Sequence, residues 1–314
     1  MKLAVVGRIT KLLPIEGADF IQQAHVDCDD AGKWSGVVGK DICQDSLVTV
    51  FLQDAVMPPS DRWAFMERHK WRVRMARFKG VPSECVIVAG APDMPPGADL
   101  AEALGVTKYE KPVPAGQAGE MVGAFPSFLP KTDEPNFQTF DFLELVEMMG
   151  SKPYYVTEKA DGSSCTAWKD EDGLHVASRN WELREHTATG AENIYWRAAR
   201  KYKLEEQLLC GVAIQFEVVG PGVQGNPMGL TTLEGRMFGQ FYRDEQGRWI
   251  REYPFNAYMP WAKQIASAQG HMPIDVLRSM AEIKYQNGKP GEGIVIRACD
   301  QSWSFKVINL LYKD

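Results

Sequence analysis

The chain has 314 residues, 45% of them hydrophobic and 24% charged, a balance that suits a folded protein with room for two cores and excludes extended disorder. A net charge of −6 excludes a generally basic nucleic-acid binder, although a local basic groove can sit inside an acidic protein. Six cysteines at positions 28, 43, 85, 165, 210 and 299 show neither C-x-x-C nor paired-histidine spacing, which argues against a zinc site and a disulfide framework and predicts reduced, mostly buried thiols.

The opening MKLAVVGRITK has an apolar run that Arg8 interrupts, too short for a signal peptide, and no later stretch has the length of a membrane span. The expectation is an intracellular, cytoplasmic protein without a membrane partner. KLAVVGRITKL, FIQQAHVDCDD, KWSGVVGKD, SLVTVFLQD, WRVRMARFKG and SECVIVAG follow as short strand-like runs punctuated by Gly, Asp and Pro, the pattern of a small β-barrel over residues 1–95. Within it RHKWRVRMARFKG interleaves cations with aromatics, which suits phosphate contact and base stacking through Arg72, Arg74, Arg77 and Lys79. It fits equally a strand whose Val73, Met75 and Phe78 point inward. Residues 96–120 are Pro- and Gly-rich around one short helix and read as a linker.

Residues 121–314 then alternate helical and strand text: a helix in NFQTFDFLELVEMMG, a hairpin around VTEKADGSSCTAW, a helix in TGAENIYWRAARKYKLEEQLLCG, and strands VAIQFEVVG and GRMFGQFYRD. A helical region from NAYMPWAKQIASAQG to DVLRSMAEIKYQ and strands GEGIVIRA and SWSFKVIN follow. The fold class is α+β with antiparallel sheets. GPGVQG spells a dinucleotide motif, but NPMGLTTLEG after it cannot start a helix, and GVVGKD lacks P-loop spacing. The histidines form no ligand spacing.

By itself the K-x-D-G of Lys159-Ala160-Asp161-Gly162 is common. Downstream, in order, stand SRN (Ser178-Arg179-Asn180), IQFEVVGPGVQGNP with Glu217, RMFGQFY with Phe238 and Phe241, EGIVIR with Glu292, and SFKVIN with Lys306. This series resembles the nucleotidyltransferase motifs of the covalent ligase and capping-enzyme superfamily. FPSFLPKTDEPNFQ resembles the segment before the first motif in RNA ligases, except that Asn136-Phe137 replaces a basic residue. A β-rich module ahead of the transferase resembles the N-terminal OB domain of the Deinococcus-type branch. The chain ends shortly after Lys306, where DNA ligases and capping enzymes continue into another OB domain, so those relatives are disfavoured.

The resemblance implies an ATP-dependent RNA ligase that joins 3′-OH and 5′-phosphate ends, in nicked duplexes, through a lysyl-AMP and an adenylated RNA. Dividing the reaction in this way turns a poor leaving group into a good one. It implies that Lys159 is the nucleophile and that Glu158, Lys159, Asp161, Gly162, Arg179, Glu217, Phe238 and Lys306 bind ATP or AMP. Glu292 and Glu217 would hold Mg²⁺ or Mn²⁺, and Lys131 would join the cations of the first domain on RNA. Lys159, Glu292 and Lys306 form the catalytic set. For Lys159 to attack, its pKa has to be lowered, through desolvation and the positive charge of Lys306 and the metal. Gly162 would take a backbone conformation that other residues resist. Phe238 would stack on adenine, with Phe241 the competing ring. Taken singly, Glu292 and Lys306 fit solvated charges, whereas Glu217 inside VAIQFEVV needs a partner. A degenerate protein that only binds nucleotide or RNA, and a relative acting on DNA or using GTP, are the competing readings. Protein partners are not legible.

Overall fold

The β-branched, aromatic-rich runs at the start of the chain form strands because such side chains pack well on a half-buried pleated surface. The computed structural model describes residues 2–109, 120–187, 189–252 and 258–312. The chain divides into two compact units, Met1–Lys111 with Asn136–Leu145 and Lys313–Asp314, and Pro112–Pro135 with Val146–Tyr312. Among the described residues no helix is long and apolar enough to cross a membrane.

In the first unit β1 (Ala4–Pro14), β2 (Ile21–Asp27), β3 (Lys33–Gly39), β4 (Leu47–Phe51) and a later strand β8 form an antiparallel sheet in the order β3-β2-β1-β4-β8; three shorter strands, β5 (Ala55–Val56), β6 (Ala76–Phe78) and β7 (Val81–Ser83), precede β8 (Val86–Ala89). Alternate residues such as Val5, Ile9, Val26, Trp34 and Ile87 share one core. The Glu84 amide donates to the Ser35 carbonyl at 2.8 Å, and the Val37 amide to Ser83 Oγ at 3.0 Å, so the chain beside β8 bonds back to β3 at the other end of the sheet order.

The stretch expected as one strand, WRVRMARFKG, is broken. A 3₁₀ segment, Asp61–His69, precedes it, and Lys70 and Trp71 take φ of 53° and 61°, which no strand accommodates. Only β6 survives, paired with β7 through a turn whose Lys79 and Gly80 both have positive φ, the backbone a two-residue hairpin needs. Residues 96–109, read as connector, pack instead in the first unit. Leu100 and Val106 are buried, and β9 (Thr107–Lys108) pairs with β5, while turns replace the expected helix. Residues 110–119 lie outside the described residues.

The Asn136–Leu145 segment explains the departure noted before the first motif. Phe137 is buried, Asn136 Oδ1 accepts from the Gln138 amide, and Gln138 Nε2 donates to Glu84 at 3.0 Å, all within the first unit. Helix α1 (Phe142–Ser151) starts with a capping box in which Asp141 and Glu144 bond each other's amides at 2.8 and 2.9 Å.

The second unit holds two antiparallel sheets. The larger runs β10 (Met121–Ala124), β14 (Trp181–Leu183), β13 (Gly173–Ser178), β12 (Ser163–Asp170), β15 (Val212–Val219), β16 (Glu234–Arg243), β17 (Trp249–Glu252); the smaller runs β18 (Gln264–Ala268), β11 (Tyr154–Glu158), β19 (Gly293–Ala298), β20 (Ser304–Ile308). Helices α2 (Ile194–Lys201) and α3 (Leu204–Gln207), separated by Lys203 at φ 51°, divide what reads as a single helix. They contribute Trp196, Ala199 and Leu204 to a core with Ile214, Phe216 and Val218 of β15; burying each large side chain stabilises the fold by about 1.5–3 kcal/mol. The helical region expected from residue 256 to 286 is a helix only at α4 (Ile274–Ala281). QIASA is the edge strand β18, recruited by the open side of β11, and residues 253–257 lie outside the described residues. The GPGVQG glycines form a loop between β15 and β16 with no helix after it. Cys28, Cys85 and Cys165 are buried free thiols, but Cys43 and Cys210 are exposed, against the expectation for them.

Candidate active site

Strand β11 and strand β12 are not a hairpin. Tyr154–Glu158 pairs on both sides inside the smaller sheet, with β18 and β19, while Ser163–Asp170 pairs with β13 and β15 in the larger one. The Lys159-Ala160-Asp161-Gly162 segment is the crossing between two sheets. The Lys159 amide donates to the Gly293 carbonyl at 2.9 Å, which continues the ladder one residue beyond β11. The crossing passes so close to β15 that a Cβ on Gly162 would lie 2.1 Å from the Val218 carbonyl oxygen and 2.7 Å from Val219 Cγ1. Space, and not a positive φ, is therefore what requires glycine there, contrary to the reading from sequence. Gly162→Ala is expected to cost about 1–3 kcal/mol by overpacking, and to displace the Lys159 backbone. Thermal unfolding and the rate of AMP attachment, measured on one preparation, check both effects.

Alternation places Tyr155, Thr157 and Lys159 on one side. Thr157 stands opposite Val295, which stands opposite Lys306; Tyr155, Arg297 and Ser304 form the next row. Lys306 thus shares the face of the smaller sheet that carries Lys159. In the larger sheet Phe216 and Val218 enter the helix-covered core, so Glu217 between them faces away from it, directly opposite Arg236 of β16. Thr157, Glu158, Lys159, Glu217, Phe238 and Val295 line a common cleft. Phe241 does not. It is 1% exposed among Leu129, Trp168 and Ala213, which removes it as the alternative stacking ring.

Lys159 Nζ lies 2.6 Å from Glu292 Oε1, both side chains being about one-quarter exposed (23% each). Burial pulls the Lys159 ammonium down, but Glu292, Glu217 and Asp161 outweigh it, and the pKa stands above the usual lysine value. This reverses the direction expected from sequence, because the close neighbours are carboxylates and not cations. Burial also raises Glu158, against the pull of Lys263 and Arg236. Asp161 Oδ2 accepts from the Tyr312 hydroxyl. Glu292 sits just before Gly293, whose φ is 139° and where a Cβ would lie 2.1 Å from the Val307 carbonyl oxygen, so the position tolerates no side chain.

The K-T-D-E run acts as a strap between the sheets. Lys131 Nζ donates to Asn180 at 3.1 Å, Thr132 accepts from Ser164 at 2.6 Å, and Asp133 accepts from Arg179 at 2.8 Å, the partners being β12 and the β13–β14 turn of the larger sheet. Glu134 turns to the smaller sheet and accepts from Arg297 and Ser304. Although burial opposes it, the Arg297 guanidinium and the Ser304 hydroxyl hold its carboxyl below the usual range. Arg179 is thereby paired with Asp133 and is not among the residues lining the cleft; nor is Lys306. Of the cations expected on RNA, Arg72 pairs with Asp54 at 2.7 Å and lies 3.7 Å over the Tyr109 ring, Arg77 donates to Gly80, and Lys79 donates to Gly17. Arg74 is exposed, and Lys131 lies in the other unit.

Sequence reasoning passed over Arg236, Arg297 and Glu134 in the cleft wall. Arg297 was within reach, since alternation from Val295 in EGIVIR puts it on the same face. Tyr285, whose hydroxyl touches the backbones of Lys159 and Glu292, carried no signal.

Among the described residues no three His, Cys, Asp or Glu side chains converge as a metal cage. Glu292 and Glu217 nevertheless both act on Lys159, and their carboxylates are the kind of hard oxygen ligand that Mg²⁺ or Mn²⁺ would take.

A family model described as RNA ligase matches residues 152–310, just over half of the chain. Among solved structures, Naegleria gruberi RNA ligase with PPi is 28% identical at a TM-score of 0.78, covering 98% of this chain and 97% of that one. Mutants of the same Naegleria enzyme with AMP and Mn, and with ATP and Mn, are similar at 26% and 27% identity and TM-scores of 0.78 and 0.77, each over 98% of this chain and 97% of that one. No curated protein sequence matches at a comparable level.

Proposed function

Since the chain belongs to the RNA ligase family, we propose that it is an ATP-dependent enzyme that seals 3′-OH and 5′-phosphate RNA ends, in nicked duplexes, through AMP carried on Lys159. The observation that carries this reading is the 2.6 Å contact between Glu292 and Lys159, which lines one cleft with Glu217 and Phe238. A protein that only bound nucleotide would need no amine held against a carboxylate at the crossing of two sheets.

The side chains divide the work as follows. Phe238 offers a flat face for adenine, with Val295 among the other walls of the same cleft. Glu217 and Glu158 accept hydrogen bonds from ribose and base. Lys159 loses its proton and attacks the α-phosphorus of ATP, forming the N–P bond as the bond to pyrophosphate breaks. Lys306, on the same face of the smaller sheet, offsets charge at the α-phosphate. A 5′-phosphate oxygen of RNA then displaces Lys159 from AMP, and the 3′-hydroxyl displaces AMP from the activated end. Arg179 is released from Asp133 to grip phosphate as a fork. Glu292 and Glu217 would hold a divalent cation, which would supply positive charge that favours the neutral amine and screens the phosphates.

The first unit is an OB-type barrel of the Deinococcus-type arrangement, and it holds the nucleic acid. Supporting this is the bond from the Glu84 amide to the Ser35 carbonyl, which ties the chain beside β8 back to β3. Arg74 and the tip of the β6–β7 hairpin are its RNA contacts; on the second unit, taken by itself, Lys131 is one.

The test is the intact mass of the protein after incubation with ATP and Mn²⁺, followed by sealing of a nicked duplex whose 3′-OH strand is RNA or DNA. A gain of one AMP, absent with GTP, together with sealing of the RNA strand, supports the proposal. A folded protein, initially free of AMP, that gains none is a binding protein and overturns it.

A further inference from the structure

Two backbone groups from separate parts of the chain meet on one phenol. The Tyr285 hydroxyl donates to the Lys159 carbonyl at 2.9 Å and accepts from the Glu292 amide at 3.0 Å. Its ring is 4% exposed and packs with Val219, Met228 and Leu230. Burial pushes the phenol well above its usual pKa, so the hydroxyl keeps the proton it donates. The ring is mounted on a closed turn, with the Tyr285 amide bonded to the Lys289 carbonyl and the Gly288 amide to the Tyr285 carbonyl, each at 2.9 Å. Gly291 passes so near that a Cβ there would lie 3.0 Å from Tyr285 Cε1. On the other side of Glu292, the Asn309 amide donates to its carbonyl at 3.0 Å and Asn309 Nδ2 to the Gly291 carbonyl at 2.8 Å. The backbone of Glu292 is therefore gripped from both sides, and one grip reaches Lys159.

We propose that Tyr285 is a positioning residue for adenylate transfer, coupling the backbone that carries Lys159 to the backbone that carries Glu292 so that amine and carboxylate stand at a fixed spacing. The inference rests on the reading of Lys159 as the residue that takes AMP. Tyr285 touches no reacting atom. Its effect falls on the step in which Lys159 must approach phosphorus in line, where a misplacement of about 1 Å costs on the order of 10²-fold. Sealing of an RNA end that is already adenylated does not use Lys159 as nucleophile and escapes most of that loss.

The experiment compares wild type with Tyr285→Phe, which keeps the ring and removes the hydroxyl. Lysyl-AMP formation at saturating ATP is expected to slow by about 10–100-fold, while half-saturation by ATP and sealing of a pre-adenylated nicked duplex each stay within about threefold. Thermal unfolding reports whether the variant is folded. If it is not, 4-aminophenylalanine installed at position 285 keeps a donor for the Lys159 carbonyl, and an adenylation rate intermediate between zero and wild type, with pre-adenylated sealing retained, supports the proposal. Equal slowing of adenylation and of pre-adenylated sealing overturns it, as does an unchanged adenylation rate. If wild type itself takes no AMP, the reading of Lys159 fails before Tyr285 is reached.

Discussion

Lys159→Ala leaves the mass of the protein unchanged after incubation with ATP and Mn²⁺, whereas wild type gains one AMP. The expected loss is complete because, among the described residues, Lys159 is the one lysine that lines the cleft with Glu217 and Phe238. Lys159 ends the row begun by Tyr155 and Thr157, and its own amide extends the β11–β19 ladder. Lys159→Arg separates chemistry from electrostatics. A guanidinium can keep the ion pair with Glu292, but with a pKa above about 12 it does not become a nucleophile at neutral pH. The Arg variant is therefore expected to unfold within about 1 kcal/mol of wild type and still take no AMP. Sealing of a pre-adenylated nick should survive both substitutions better than sealing from ATP. AMP found on the Ala variant, mapped by peptide mass, would move the nucleophile elsewhere.

The strands of both units were legible because Val, Ile, Tyr and Phe alternate with polar residues between Gly and Asp breaks. β1 to β4, β8, β15, β16, β19 and β20 fall where that text predicts. The pairing of strands was not legible. VTEKADGSSCTAW has every local mark of a hairpin, yet its two strands pair elsewhere, and only long-range partners 264–268 and 293–298 reveal that β11 is internal to another sheet. QIASA was misread for the same reason, since an edge strand has weak local preference and is recruited by the neighbour it completes. In the site, order of motifs identified Lys159, Glu217, Phe238 and Glu292, all of which meet at the cleft or at Lys159. The sign of the Lys159 shift was hidden. It depends on which charges stand nearest, and sequence order places Lys306 and Glu292 at similar remove from Lys159, although only the carboxylate makes the 2.6 Å contact.

Glu292→Gln tests what that carboxylate does, with little change of shape. In wild type Glu292 raises Lys159, so without metal the amine is held as an ammonium and cannot attack. Removing the charge brings the Lys159 pKa down, and on electrostatics of the pair alone adenylation would quicken. The opposite is expected. Adenylation should fall by about 10²–10³-fold, because the variant loses the charged oxygen that would hold the cation and help position the amine, an electrostatic contribution of the size measured for single preorganised groups. Raising Mn²⁺ should recover part of the rate if Glu292 is a metal ligand, and none if it serves only the ion pair. Stability behaves differently. A lysine whose folded pKa is raised adds stability that is complete below the ordinary lysine value of 10.5 and is lost as pH rises through the folded value. The stability difference between wild type and Glu292→Gln should therefore be constant through neutral pH and close only in strongly alkaline solution. A difference that already closes between about pH 6 and 8 would assign the titration to another group coupled to Glu292.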